Sequence, residues 1–95
     1  MLIQTPPKQG DVITVRTSAG EEIVARYVEE TDMHLTVEKP MAVVASGQGF
    51  GLMPMAFTIP QDTKVKLSLH SILFHTKTED DMARQYLQSS SGISL

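Results

Sequence analysis

Between Asp11 and Glu38 the apolar positions recur every second residue, in three runs separated by polar breaks. Val12, Ile13 and Val15 make the first run. Ser18-Ala19-Gly20 interrupts it, and a glycine there can supply the positive φ that a tight hairpin needs. In the second run Ile23, Ala25 and Tyr27 alternate with Val24, Arg26 and Val28, so both faces are nearly apolar. Glu29-Glu30-Thr31-Asp32 reads as the next turn. Then Met33, Leu35 and Val37 fall on one face, and His34, Thr36 and Glu38 on the other. A period of two marks half-buried strands. The stretch therefore predicts a three-strand antiparallel meander, whose edges stay open unless other strands cover them.

Further along, the pattern changes three times. Lys39-Pro40 is expected to interrupt the meander. Residues 40–60 then hold an apolar arm, M-A-V-V-A, a glycine-rich tip, S-G-Q-G-F-G, and a second apolar arm, L-M-P-M-A-F-T-I. This predicts a long hairpin insertion, with Met53, Met55, Phe57 and Ile59 on one face. Pro54 cannot donate to a strand ladder and belongs at an edge or bulge. After a turn at Pro60 to Thr63, Val65, Leu67 and Leu69 alternate with Lys64, Lys66, Ser68 and His70. The apolar set then moves to Ile72 and Phe74, so odd positions become even. A continuous strand cannot change face in this way. His70-Ser71 is therefore a bulge or sharp corner between two short strands, a device that lets a small sheet curl. Finally, Thr78 is a suitable N-cap before Glu79, Asp80 and Asp81, which favour a helix N-terminus. Met82, Ala83, Tyr86 and Leu87 give a helical stripe. The helix is expected over residues 78–88, ended by Ser89 to Gly92. Pro6-Pro7 makes the first ten residues an extended lead-in.

A chain of 95 residues forms one domain, here residues 1–95, with a small core. There is no cysteine, which removes disulfides and thiolate metal sites from consideration. No basic region precedes an apolar run at the start, and no apolar stretch is long enough to span a bilayer. A cytoplasmic protein without a membrane partner is expected. Eight basic residues against eleven acidic ones give a net charge of −3. That balance argues against a general polyanion-binding surface, so any nucleic-acid role must rest on a local site.

The order of these pieces resembles the Sm/LSm/Hfq group. Gly20 is similar to the turn glycine of the first Sm motif, residues 11–38. Met33-His34-Leu35-Thr36-Val37 looks like its Met-Asn-Leu-x-Leu, with His34 in the Asn place. Asp32 or Glu30 stands for the motif's Asp. Residues 64–77 resemble the second Sm motif, and Leu69-His70-Ser71-Ile72 looks like the Lys-His-Ala-Ile corner of the Hfq branch. The small Sm-like proteins of T4-like phages look closer still, through the glycine-rich insertion and a polar helical tail. The resemblance covers about two-thirds of the chain. It implies an all-β, Sm-like, five-stranded, strongly bent small barrel with an extended β-hairpin insertion and a short C-terminal helix, expected to cover the barrel end usually closed by an N-terminal helix. It also implies a homo-oligomeric ring that binds single-stranded RNA, or alternatively single-stranded DNA, at its pore. The residues carried over are Asp32, Met33, His34, His70 and Ser71. His34 would hydrogen-bond or stack on a base, and His70 would meet base or phosphate. The competing expectation is a ring-shaped structural or protein-interaction module.

Other chemistry finds little footing. His34, His70 and His75 follow no ligand spacing, so neither a metal nor another cofactor is expected. No nucleophile elbow or paired-carboxylate signature is present, and an enzyme is not expected. The glycine-rich tip lacks the lysine and helix start of a phosphate cradle, and Lys64 and Lys66 read as a solvated strand face.

Overall fold

The computed structural model describes residues 5–91. They form six strands, a single 3-10 turn and one helix. In chain order these are β1 (Val12–Thr17), β2 (Glu22–Glu30), β3 (His34–Ser46), β4 (Gly49–Pro54), β5 (Lys64–Ser68), the 3-10 turn Leu69–Ser71, β6 (Ile72–Lys77) and α1 (Asp80–Ser91). Every pairing is antiparallel, in the order β4-β3-β2-β1-β6. β5 lies beside the first part of β3, from His34 to Glu38, and β4 beside the second part, from Met41 to Ser46. The protein is thus all-β with one short C-terminal helix.

Two turns follow directly from residue chemistry. Gly20 sits at φ 96°, and its N–H donates to Thr17 O at 3.0 Å, closing the β1–β2 turn. The β3–β4 hairpin turns at Gly47-Gln48. Ser46 Oγ accepts from Gln48 N and donates to Gly49 O, and Gly49 takes φ 123°.

Lys39-Pro40 does not break the meander, because β3 runs through it. The pair is absorbed as a bulge. Val24 pairs with Met41 but Arg26 with Glu38, so β3 carries one extra residue there, and Lys39 takes φ 49° to hold it. The second hairpin arm is shorter than the apolar pattern suggests. It ends at Pro54, and residues 55–63 are irregular. Once β4 has passed β3's bulge, β5 occupies the remaining length of that edge.

The expected five strands of a barrel correspond to β1, β2, β3, β5 and β6, with β4 added by the insertion. The sheet is nevertheless open, since β5 and β6 do not pair with each other among the described residues. Only a three-residue 3-10 turn separates them, and it sends the chain from one end of the strand order to the other. Side chains of both strands nevertheless pack on one core. Ile13, Val15, Ile23, Ala25, Leu35 and Val37 form a buried cluster, against which Tyr27, Val65, Leu67, Leu69 and Ile72 pack. His75 Nε2 on β6 also lies 2.9 Å from Glu30 Oε1 at the end of β2, although β1 separates these strands in the sheet. That contact requires the sheet to curl.

A second cluster uses the opposite face. Val24, Met41 and Tyr86 are buried there, with Val12, Val43, Leu52 and Met82 around them. β2 is therefore apolar on both sides because both sides are covered. Helix α1 supplies the second cover through Met82 and Tyr86, lying on the face of the sheet that carries Val24 and Met41. Its N-terminus differs from the expected one. Thr78 is buried, and its hydroxyl is 2.8 Å from Thr14 Oγ1 on β1. Glu79 caps instead, its Oε1 accepting from Met82 N at 2.7 Å. The helix runs past Gln88 to Ser91, and the expected stop at Gly92 lies outside the described residues.

Candidate nucleic-acid interface

Three connections meet at one end of the curled sheet. Leu69 N in the 3-10 turn donates to Met33 O in the β2–β3 turn at 3.0 Å. Ser18 N in the β1–β2 turn donates to Ser71 O at 2.9 Å. These two bonds hold the corner containing His70 and Ser71 between the other turns. Asp32, Met33, His34, His70 and Ser71, far apart in sequence, are thus brought to the same end, and all five are exposed.

Each local conformation has a residue that sets it. Thr31 organises the β2–β3 turn. Its Oγ1 accepts from Met33 N at 3.3 Å and His34 N at 3.1 Å, and its own N–H donates to His34 O at 2.8 Å. Hydroxyl residues make such turns by bonding backbone two or three positions on. Ser68 does the same for the corner, its Oγ accepting from His70 N at 3.2 Å. Neither Thr31, Ser68 nor Ser18 stood out in the sequence as part of the site. The signal was a hydroxyl at the edge of each turn, which is too common to single out alone.

The ring nitrogens of His34 and His70 make no hydrogen bond among the described residues, so both are free to meet a ligand edge. His75, by contrast, is committed to Glu30. Among the described residues no three His, Cys, Asp or Glu side chains gather closely enough to hold a metal ion.

The charge around this end is acidic. Glu29 and Asp32 are exposed on the β2–β3 turn, and Glu30 adjoins them. The Tyr27 hydroxyl is pushed above its ordinary value, by burial first and then by Glu30 and Glu29. Lys66 is exposed on β5, opposite Thr36, whereas Lys64 is 3.3 Å from Glu38 and partly neutralised. No Lys or Arg stands among the five residues themselves. This end offers uncommitted imidazole nitrogens, imidazole faces and the Met33 thioether to a ligand, and no cation among the five residues.

A cavity with an apolar lining lies elsewhere. It has a volume of about 240 Å³ and is lined by Pro40, Met41, Pro54, Phe57, Ile59 and Ser90, among others. It shares no residue with the histidine end. No helix among the described residues is long and apolar enough to cross a membrane. In comparisons with known proteins, the chain matches no family model and no curated protein.

Proposed function

We propose that the chain assembles into an Sm-like homo-oligomeric ring in the cytoplasm and binds single-stranded RNA at the ring pore, without catalysis. One observation carries the reading. The Leu69 N to Met33 O bond draws the two corners bearing His34 and His70 to a single end, where both imidazoles are exposed with uncommitted ring nitrogens. Two further features support it. The strand order with a 3-10 corner agrees with the motif order of the resemblance, and β5 and β6 each keep a side without a strand partner among the described residues, which copies could use to pair head to tail. In such a ring the histidine ends of all copies would face a common axis. The mechanism is then selective adhesion: bases splayed from the strand are stacked and read at their edges.

Fluorescence anisotropy with labelled oligo-U and oligo-A tests this on the purified chain, with a DNA oligomer as the comparison for sugar preference. Saturable binding is expected. An absence of saturable binding at low salt sinks the RNA reading. The alternative is a ring that serves as a structural or protein-docking module, and the acidic surround of Glu29, Glu30 and Asp32 favours it. That alternative is supported if light scattering gives a multiple of the chain mass while no oligonucleotide binds.

A further inference from the structure

Three strand edges are open in the described fold, and the sequence treats them differently. β5 carries Lys64 and Lys66, and β6 carries His75 and Lys77. Charges along an edge are a common defence against unwanted pairing. β4, G-F-G-L-M-P, has none, and no charged residue occurs from Pro40 to Gln61. β4 ends the strand order, so its outer N–H and C=O groups have no strand partner among the described residues. Its large side chains are also in solvent: Phe50 is 66% exposed and Met53 42%. Gly49 and Gly51 keep the edge low, so another backbone can approach closely.

We propose that β4 is a strand-pairing interface whose occupant is β4 of a second copy, antiparallel to the first about a two-fold axis. The argument for the same strand is complementarity. An edge without charge offers nothing to a charged partner, whereas an isologous pair closes with two copies and buries both open edges. The side chains fit this arrangement. Phe50, Leu52 and Pro54 lie opposite Ala45, Val43 and Met41 on β3, so they share the face that α1 covers. Leu52 is half-buried in that cluster, and Phe50 projects beyond it. A two-fold axis perpendicular to the sheet sets Phe50 of each copy on the same face as Leu52 and Pro54 of the other. The exposed ring then extends the apolar cluster across the seam instead of ending it in water. This interface does not depend on the ring, because it leaves the β5 and β6 edges free.

The double variant Phe50→Glu/Met53→Glu tests it. Both positions are exposed, so the fold should hold, which far-UV circular dichroism checks. Light scattering coupled to size exclusion, at micromolar concentration, is expected to give a wild-type mass twice that of the variant. If the chain also forms rings through β5 and β6, the variant stays at ring mass; if not, it falls to a single chain. A wild type that is monomeric, or a folded variant with unchanged mass, overturns the proposal. A second measurement is independent of those glutamates' effect on folding. In this cysteine-free chain, Gly51→Cys introduces a lone thiol at the middle of the seam, where a side chain meets only Val44 Cγ2 at 3.8 Å. A short bifunctional maleimide should join two chains through it. Failure of that cross-link at the concentration where the wild type has its full mass also overturns the proposal.

Discussion

At the scale of single residues, Tyr86 shows how one side chain joins the helix to the sheet. It is fully buried, and its hydroxyl donates to Lys39 O at 2.8 Å, with Glu38 O at 3.3 Å. It thereby satisfies carbonyls at the bulge that Lys39 holds in a left-handed conformation. Burial pushes its pKa from 10.0 up to about 12, against the opposing pull of the Arg26 guanidinium. The folded-state value is the higher one, so the native state keeps the proton longer. The stability this group contributes is whole below pH 10 and is lost progressively as pH rises from 10 to about 12. Tyr86→Phe should cost about 1–2 kcal/mol at neutral pH, from carbonyls left without their donor. It should also flatten the alkaline loss, so the gap between variant and wild type narrows above pH 10 in urea titrations. A gap that stays constant from pH 8 to 11 contradicts the assignment. Gly20 was legible in the sequence, since its turn demands a positive φ. Lys39 was not, because nothing about a lysine announces a left-handed bulge; the register of β2 against β3 imposes it.

At the scale of elements, the period-2 runs locate β1, β2 and β3, and the change of apolar phase at His70 locates the 3-10 corner. Both signals are local, so the sequence displays them. The helix start departs from its local sequence signal because the cap depends on a distant partner. Thr78 is a good cap by type, but Thr14 on β1 holds its hydroxyl, and Glu79 takes the capping role. Glu79→Ala should therefore lower stability by about 1 kcal/mol through the lost cap. Thr78→Ser, which keeps the hydroxyl, should change stability less. Urea midpoints of the two variants measure this, and an unchanged midpoint for Glu79→Ala would show that its carboxylate does not cap the helix. The hairpin yields a second expectation at this scale. Amides of β3 from Met41 to Ser46 that bond β4 should be protected in hydrogen exchange. Residues 55–63, which carry no strand, should exchange fast. Equal rates across both segments would mean that the hairpin opens as readily as the loop beyond it.

At the scale of the whole molecule, the sequence order of strands was readable, but their closure was not. Whether β5 and β6 meet depends on how sharply three residues turn the chain, and composition does not report that. The same holds for the site: His34 and His70 were visible as polar residues at turns, whereas Thr31 and Ser18, which set the turns and tie them together, were not. The proposed RNA site then has a distinctive energetic signature. Binding driven by phosphate neutralisation weakens with salt at a slope of about −0.7 per contact on single strands. None of Asp32, Met33, His34, His70 or Ser71 is a Lys or Arg, and Glu29 and Glu30 adjoin them. The slope for oligo-U should thus be shallow, near one phosphate contact or fewer per site. Stacking and base-edge bonds must supply the remainder, at roughly 1–3 kcal/mol per stacked base. His34→Ala and His70→Ala should each weaken oligo-U binding about tenfold, or 1.4 kcal/mol. Both are exposed, so neither should dissociate the proposed ring. Lys77→Ala, at the far end of β6, should matter much less. Anisotropy titrations at two salt concentrations measure all of this together. A steep salt slope with both histidine variants matching wild type would move RNA from this end to a lysine-bearing face such as that of Lys66. Retained binding that both histidine variants weaken, with the ring mass unchanged, would tie the function to the meeting of the two corners.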